Sequence, residues 1–375
     1  MKRLGLVLLV LVSFLSSSLV LDVSASGDFW VSLASPPTPR VGLGVAVVDG
    51  KIFAIGGSNS SVRYLGTNEV YDPDTDTWET KASMPTPRRD FAIAVYDNKI
   101  YCISGESGLD SQGGVYSAVN EVYDPLTDTW TIKAEIPTPR YGMSANLVDG
   151  KIYVLGGGHH NVYPGNTCSD LNEVYDPLTD TWSTRSSLPT AVLYAASVVV
   201  DGEIYVLGGQ AGWLLGGWYD FNQVYDVEAD EWSVVESVPV GFERAAAGAT
   251  TGDFASKKIY VMGGHVYGGS RSNFTQIFDP GTGGWSNGTQ MPTPQIWFGV
   301  AVLDDELYAI GEVNHRYTPI DHEQPSPSSV PSQSAPTPEP SAFPLTWCIA
   351  AVLSVSVIGV GLLVYFKYRR KTAKN

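Results

Sequence analysis

The 375-residue chain carries 39 Asp and Glu against 23 Lys and Arg, a formal charge of −16, with 39 Gly, ten Trp and three Cys. That balance argues against a nucleic-acid partner, because phosphate binding runs on clustered cations. Three Cys are too few for a disulfide scaffold and give no CxxC metal site, and a hydrophobic content of 43% excludes a disordered chain.

In chain order, Met1-Lys2-Arg3 followed by the apolar run Leu4 to Leu21 reads as a secretory signal, with Val23-Ser24-Ala25 suited to cleavage near Ala25. Residues 1–25 are therefore expected to be a signal peptide. The next 300 residues are organised by a repeat. Tryptophans fall at Trp30, Trp78, Trp130, Trp182, Trp232 and Trp285, separated by 48, 52, 52, 50 and 53 residues. Asn68-Glu-Val-Tyr-Asp-Pro-Asp-Thr-Asp-Thr-Trp78 returns almost unchanged as Asn120 to Trp130 and Asn172 to Trp182, with looser copies ending at Trp232 and Trp285. Upstream of each copy an apolar run ends in a glycine pair or a variant: Gly56-Gly57, Ser104-Gly105, Gly156-Gly157, Gly208-Gly209, Gly263-Gly264 and, in the last unit, Gly311-Glu312.

Each unit reads as four short strands. In the third, Tyr141 to Val148 is the inner strand, Asp149-Gly150 a hairpin turn and Lys151 to Leu155 the second strand. Asn172 to Tyr175 is the third, Asp176-Pro-Leu-Thr-Asp180 a tight turn, and Thr181 to Ser183 begins the fourth. The last unit has strands over Trp297–Leu303, Glu306–Ile310 and about Arg316–Ile320, but no fourth strand and no Trp. Asp28 to Leu33 precedes the first inner strand and matches the segment around Trp130, so the N-terminus is expected to supply the missing outer strand. A period of 48–53 residues with four strands is a propeller blade.

After the repeats, Pro325 to Pro344 is rich in Pro, Ser and Thr and reads as an extended stalk over 325–344. Leu345 to Phe366 holds no charged residue and as a helix would cross a bilayer. Lys367, Arg369, Arg370, Lys371 and Lys374 follow it without an acidic residue, which makes 367–375 a cytoplasmic tail and puts 26–324 outside the cell, in a single-pass type I arrangement. The part expected outside holds 16 basic and 38 acidic residues, a net of −22.

The glycine pair, the following Tyr and the Trp seven residues beyond it, as in Gly156-Gly157, Tyr175 and Trp182, resemble those of kelch-repeat β-propeller proteins. Ser104, Glu312 and Phe278 depart from that pattern in single units. The resemblance implies an all-β fold: a six-bladed kelch-type β-propeller closed by an N-terminal outer strand, here with a C-terminal single transmembrane helix. Propellers of this kind also include galactose oxidase, whose copper site has no matching motif here, and a six-bladed sialic-acid mutarotase.

The repeated Gly, Tyr and Trp read as architecture, whereas the connections after the glycine pairs vary freely over 58–67, 106–119, 158–171, 210–221 and 265–274. They carry Tyr64, Tyr116, His159, His160, Tyr163, Trp213, Trp218, Tyr219 and Tyr267, an aromatic set suited to a protein or glycan surface. Counting back 16 residues from the glycine pairs gives Arg40, Arg88 and Arg140, and Arg244 once an insertion near 251–256 is allowed. Two readings of these arginines stand side by side: a ring at the channel mouth for a carboxylate or acidic peptide, or anchors for neighbouring backbone carbonyls. Asp72-x-Asp74-x-Asp76 begins like a calcium loop but lacks its Gly and distant Glu, and no third ligand accompanies His159-His160. No cofactor or metal is therefore expected.

Cys102 and Cys168 read as free thiols, with pairing conceivable outside the cell. The sequons at Asn59, Asn273 and Asn287 would be open to glycosylation. The function expected is a membrane-anchored, extracellular protein- or glycan-binding or adhesion module at the cell surface. The alternatives are a sugar-modifying enzyme of the mutarotase type, drawing acid and base groups from Glu106, Glu243, Arg244 and Glu312, or a structural envelope component.

Overall fold

The computed structural model describes residues 27–110, 113–161, 165–210, 220–266, 268 and 270–323. The expected signal, stalk, membrane helix and tail lie outside the described residues. Among the described residues no helix is long and apolar enough to cross a membrane.

The described residues build six four-stranded antiparallel sheets. Sheet one runs Gly44–Val48, Lys51–Ile55, Asn68–Asp72 and Thr77–Lys81; sheets two to five repeat it from Ala92–Tyr96, Ser144–Val148, Ala196–Val200 and Ala246–Ala249. The alternation of the first strand leaves every second residue buried, as in Gly44–Val48. The second strand is buried on both faces, as in Lys51–Ile55, because a neighbouring sheet covers each side. The sixth sheet is completed from the other end of the chain: Phe29–Ser32 pairs antiparallel with Asn314–Thr318, joining Trp30 to Tyr317 across the register. The last unit's third strand therefore starts two residues earlier than expected. The inner strands of units three and six begin at Ser144 and Gly299 rather than at Tyr141 and Trp297.

Six apolar clusters lie between successive sheets. One joins Phe53 and Ile55 of sheet one to Ile100 and Cys102 of sheet two, and the last brings Ala301 and Tyr308 of sheet six against Ile52 and Tyr71 of sheet one. The inner strands touch one another in the same order and close on themselves. Every Trp of the repeat packs on the aromatic ring of its own sheet at about 5 Å, from Tyr71–Trp78 at 5.1 Å to Trp30–Tyr317 at 5.1 Å. Gly56 shows why the glycine pair recurs: its φ is +65°, and a Cβ there would stand 2.8 Å from the carbonyl oxygen of Arg88 in the next sheet. Ser104 holds the same conformation in sheet two, and its hydroxyl donates to the Arg140 carbonyl at 2.8 Å.

Cys102 is buried and Cys168 half-buried, its thiol donating to the Gln210 carbonyl at 2.9 Å, and no disulfide joins the two. The Asp-rich turns are internal clamps. Asp76 accepts hydrogen bonds from the Tyr71 hydroxyl at 2.7 Å and from the Ala34 amide at 2.8 Å, while Asp72 pairs with Lys51.

Candidate functional site on the loop face

Alternating strands place the long connections on one face, and bridges such as Val41–Ser58, Arg89–Glu106 and Tyr141–Gly158 stitch them to the sheet-to-sheet crossings. Three of the four expected arginines do not reach the mouth of that face. Arg40, Arg88 and Arg140 are buried inside sheets one to three, paired with Glu69, Glu121 and Glu173. Each also donates to backbone carbonyls, Arg40 to Thr38 and Ala54, and Arg88 to Thr86 and Cys102. The expected four-arginine ring is therefore corrected: these three are anchors, with no room for a ligand at the guanidinium.

Arg244 belongs to a different register. The positions equivalent to Arg88 in sheets four and five are Val192 and Phe242, whose carbonyls receive the Gly157 and Gly209 amides as Arg88 receives that of Gly57. Arg244 stands two residues further on and aligns with Gly42, Asp90, Gly142, Tyr194 and Trp297. All six have φ between +52° and +66°. They form a closed cycle of backbone hydrogen bonds at 2.7–3.1 Å: Gly42 N donates to Trp297 O, Asp90 N to Gly42 O, Gly142 N to Asp90 O, and so on round to Trp297 N and Arg244 O.

This ring frames a cavity of about 130 Å³, walled further by Leu43, Phe91, Met143 and Phe298. Arg244 lies between two aromatic rings, its guanidinium carbon 4.5 Å from the Tyr194 centroid and 4.4 Å from that of Trp297. Its Nη1 pairs with Glu243, which also stands 3.3 Å from His265 Nδ1. The Asp90 side chain is buried, and burial pushes its carboxyl up to about 6 against the pull of Arg89. The Tyr194 hydroxyl reaches Asp90 Oδ2 at 3.5 Å.

Beside the ring, Glu106 gathers Arg89 at 2.7 and 3.0 Å, Tyr64 at 2.8 Å and Arg63 at 3.3 Å. Burial alone would raise this carboxyl, but the bonds from Arg89 and Tyr64 outweigh it and hold it below its ordinary value. Tyr116 stacks on Tyr141 at 5.1 Å, His159 meets Tyr116 edge-on at 6.4 Å, and Tyr141 meets Tyr194 at 5.6 Å. Tyr64, Tyr116 and His159 are thus brought together on one face. His160 lies in the strand Gly158–Asn161; Tyr163, Trp213, Trp218, Tyr219 and Tyr267 lie outside the described residues.

Arg89, Asp90, Tyr141, Tyr194 and Trp297 were missed from the sequence, where Tyr141 and Trp297 read as the starts of β-strands. The usable signal was the alignment of Gly42 and Gly142 with four non-glycine residues at one offset.

A family model described as the KLHDC2/KLHL20/DRC7 Kelch-repeats domain matches residues 15–157 and 127–312. The chain belongs to the kelch-repeat family. It is 43% identical over 185 residues to Kelch-like protein 7 of Rattus norvegicus, covering 49% of this chain and 30% of that protein. Against Kelch-like protein 35 of Mus musculus the figures are 29% over 181 residues, covering 48% and 29%. Alpha-scruin of Limulus polyphemus is 35% identical over 104 residues, 27% of this chain and 11% of that protein. The matches thus span less than a third of the length of these relatives. Among solved structures, one titled "Structure of YjhT" superposes with a TM-score of 0.64 at 17% identity, covering 75% of this chain and 95% of that one, a likeness of fold alone. This kelch-repeat chain thus has the all-β propeller fold expected of it.

Proposed function

We propose that the chain is a six-bladed kelch propeller that binds a protein partner on its loop face and is presented outside the cell by a membrane segment at 345–366. The observation that carries this reading is the separation of its two faces. Tyr64, Tyr116, His159 and the ring lie at the loop end of the sheets. The chain leaves the described residues at the other end, where Glu323 N bonds Phe254 O at 2.6 Å and His322 Nε2 lies 2.7 Å from the carbonyl oxygen of Asp304, in the hairpin turn of the last unit. Aromatic rings at the rim with the Arg89–Glu106 pair give the mixture of apolar and charged contacts that protein interfaces use. The sugar-modifying alternative is not favoured, since the curated relatives are kelch-like proteins and scruins.

The test is a peptide-display selection on the full-length chain in detergent micelles. Peptides selected by the loop face should lose about tenfold or more in affinity with Tyr116→Ala and keep it with Leu178→Ala on the turn face. Equal losses, or none with Tyr116→Ala, would overturn the assignment of the face. Protease added to intact cells should remove the propeller; a protected propeller would overturn the outward orientation.

A further inference from the structure

The six ring positions raise a question that partner binding at the rim does not answer. Gly42 and Gly142 close the hydrogen-bonded ring with no side chain, so the fold does not need one there. Asp90, Tyr194, Arg244 and Trp297 nevertheless hold φ values of +52° to +58°. That conformation is strained for an L-residue, and bulky aromatic residues rarely adopt it. Strain of this kind, kept at four positions around one cavity, points to use of the side chains.

Their arrangement is polar in one direction. In a six-membered ring Asp90 and Arg244 are three positions apart and so stand opposite each other. Gly42 and Gly142 flank Asp90 and leave its carboxylate clear, whereas Tyr194 and Trp297 flank Arg244 and fix its plane. Each charge has one partner in the protein, Arg89 Nε at 3.6 Å from Asp90 Oδ2 and Glu243 at Arg244 Nη1, and each keeps hydrogen-bonding capacity beyond it. Among the described residues Asp90 accepts one long hydrogen bond, from Tyr194 at 3.5 Å, while Arg89 makes its hydrogen bonds to Glu106 and meets Asp90 only as an ion pair at 3.6 Å. Among the described residues Arg244 Nε and Trp297 Nε1 have no hydrogen-bond partner. Asp305 shows what a structural carboxylate receives in this protein: four hydrogen bonds, from Thr251 N and Oγ1, Phe254 N and Ala255 N.

We propose that the mouth binds a small zwitterion, a free α-amino acid, with its ammonium group against Asp90 and its carboxylate against Arg244. A lone anion would bring its charge toward Asp90, and a lone cation would bring its own toward Arg244. A zwitterion brings each of its charges toward an opposite one. At about 10–15 Å³ per water for space of this kind, the cavity of about 130 Å³ has ample room for glycine or alanine. The site is independent of the rim and would stand if no protein bound there.

Titration calorimetry of the full-length chain with glycine and L-alanine tests this, with acetate and methylammonium as single-charge controls. Glycine or alanine is expected to bind at least about tenfold more tightly than either control. Asp90→Asn and Arg244→Gln should each weaken that binding by about tenfold or more, while Arg271→Gln, which breaks only the exposed pair with Glu312, should not. Acetate binding as tightly as glycine would reduce the site to an anion site and overturn the proposal. Absence of glycine and alanine binding at about 10 mM would overturn it as well, as would unchanged affinity in Asp90→Asn. Should Arg244→Gln fail to fold, Asp90→Asn decides alone, because Asn keeps the volume and tolerates positive φ.

Discussion

Arg88 gives up its water on folding and recovers it from Glu121 and the carbonyls of Thr86 and Cys102, all inside sheet two. The chain shows that this pair is a unit. Sheets one to three hold Arg with Glu, whereas sheet four has Val192 with Gln223 and sheet five Phe242 with Gln276. Gln223 and Gln276 each bond a single backbone residue, Thr190 and Val240, through both amide atoms. Glu becomes Gln where Arg is lost, a signal readable in the sequence as Asn-Glu-Val-Tyr against Asn-Gln-Val-Tyr. Breaking one pair should therefore be costly: Glu121→Gln is expected to destabilise by about 3–5 kcal/mol. The double variant Arg88→Val with Glu121→Gln, which copies sheet four, should recover most of that. Urea unfolding of both variants checks it, and a double variant no better than the single one would refute the unit. Asp90 predicts the opposite sign. Its carboxyl is raised from 3.8 to about 6 by burial, so the folded state holds the proton more tightly and stability rises as pH falls from about 6 toward 3.8. Asp90→Asn should thus be the more stable protein at pH 7.5, by roughly 2–3 kcal/mol, with the gap closing below pH 6. Arg89, Glu106, Arg244, Tyr141 and Tyr194 surround that carboxyl and set the midpoint; melting curves from pH 4.5 to 8 read it.

At the scale of the sheet, the repeated turn joins each unit to the one before it. Asp128 accepts the Tyr123 hydroxyl at 2.6 Å and the Ala82 amide at 2.8 Å, and Trp130 Nε1 donates to the Ala82 carbonyl at 2.8 Å. Sheet five again loses both members together, with Phe278 for the Tyr and Gly283 for the Asp. Asp128→Ala should cost about 1–3 kcal/mol, since it strands two donors, and Tyr123→Phe about 1 kcal/mol; a double-mutant cycle should show them strongly coupled. The tyrosine bond holds Asp128 below its ordinary value of 3.8, so its contribution is whole above that value and fades as pH falls through the depressed one. The four strands were legible because the Asp-Gly turns, glycine pairs and Tyr-Asp-Pro turns punctuate them at nearly fixed spacing. The ring was not. Tyr and Trp favour strands, so Tyr141 and Trp297 read as strand starts, and only the closed cycle of neighbouring sheets forces the three-residue crossings into a left-handed turn. The arginines misled for a similar reason: spacing identifies equivalent positions but cannot say which end of a strand a side chain faces.

For the propeller as a whole, the decisive bond is between its ends. The last unit has Tyr317 but neither the Asp nor the Trp that follow Tyr71 by five and seven residues. Asp28 and Trp30 replace them from the N-terminus with the same two-residue offset. Tyr317 donates its hydroxyl to Asp28, Thr289 N donates to Asp28 at 2.6 Å, and Trp30 packs on Tyr317 at 5.1 Å. The closing strand thus brings the same clamp that every other sheet makes within its own sequence, which is why its residues match the segment around Trp130. Without it, Asn314–Thr318 becomes an open edge whose unpaired amides and carbonyls are a template for another chain. A chain lacking residues 26–35 should melt at least roughly 10 °C lower and self-associate on a sizing column. A peptide spanning residues 27–35, added in excess, should restore both properties by refilling the edge. An unchanged melting temperature in the truncated chain would mean that the ring holds without its closing strand. Its six inter-sheet clusters and the backbone cycle at the mouth would then suffice alone.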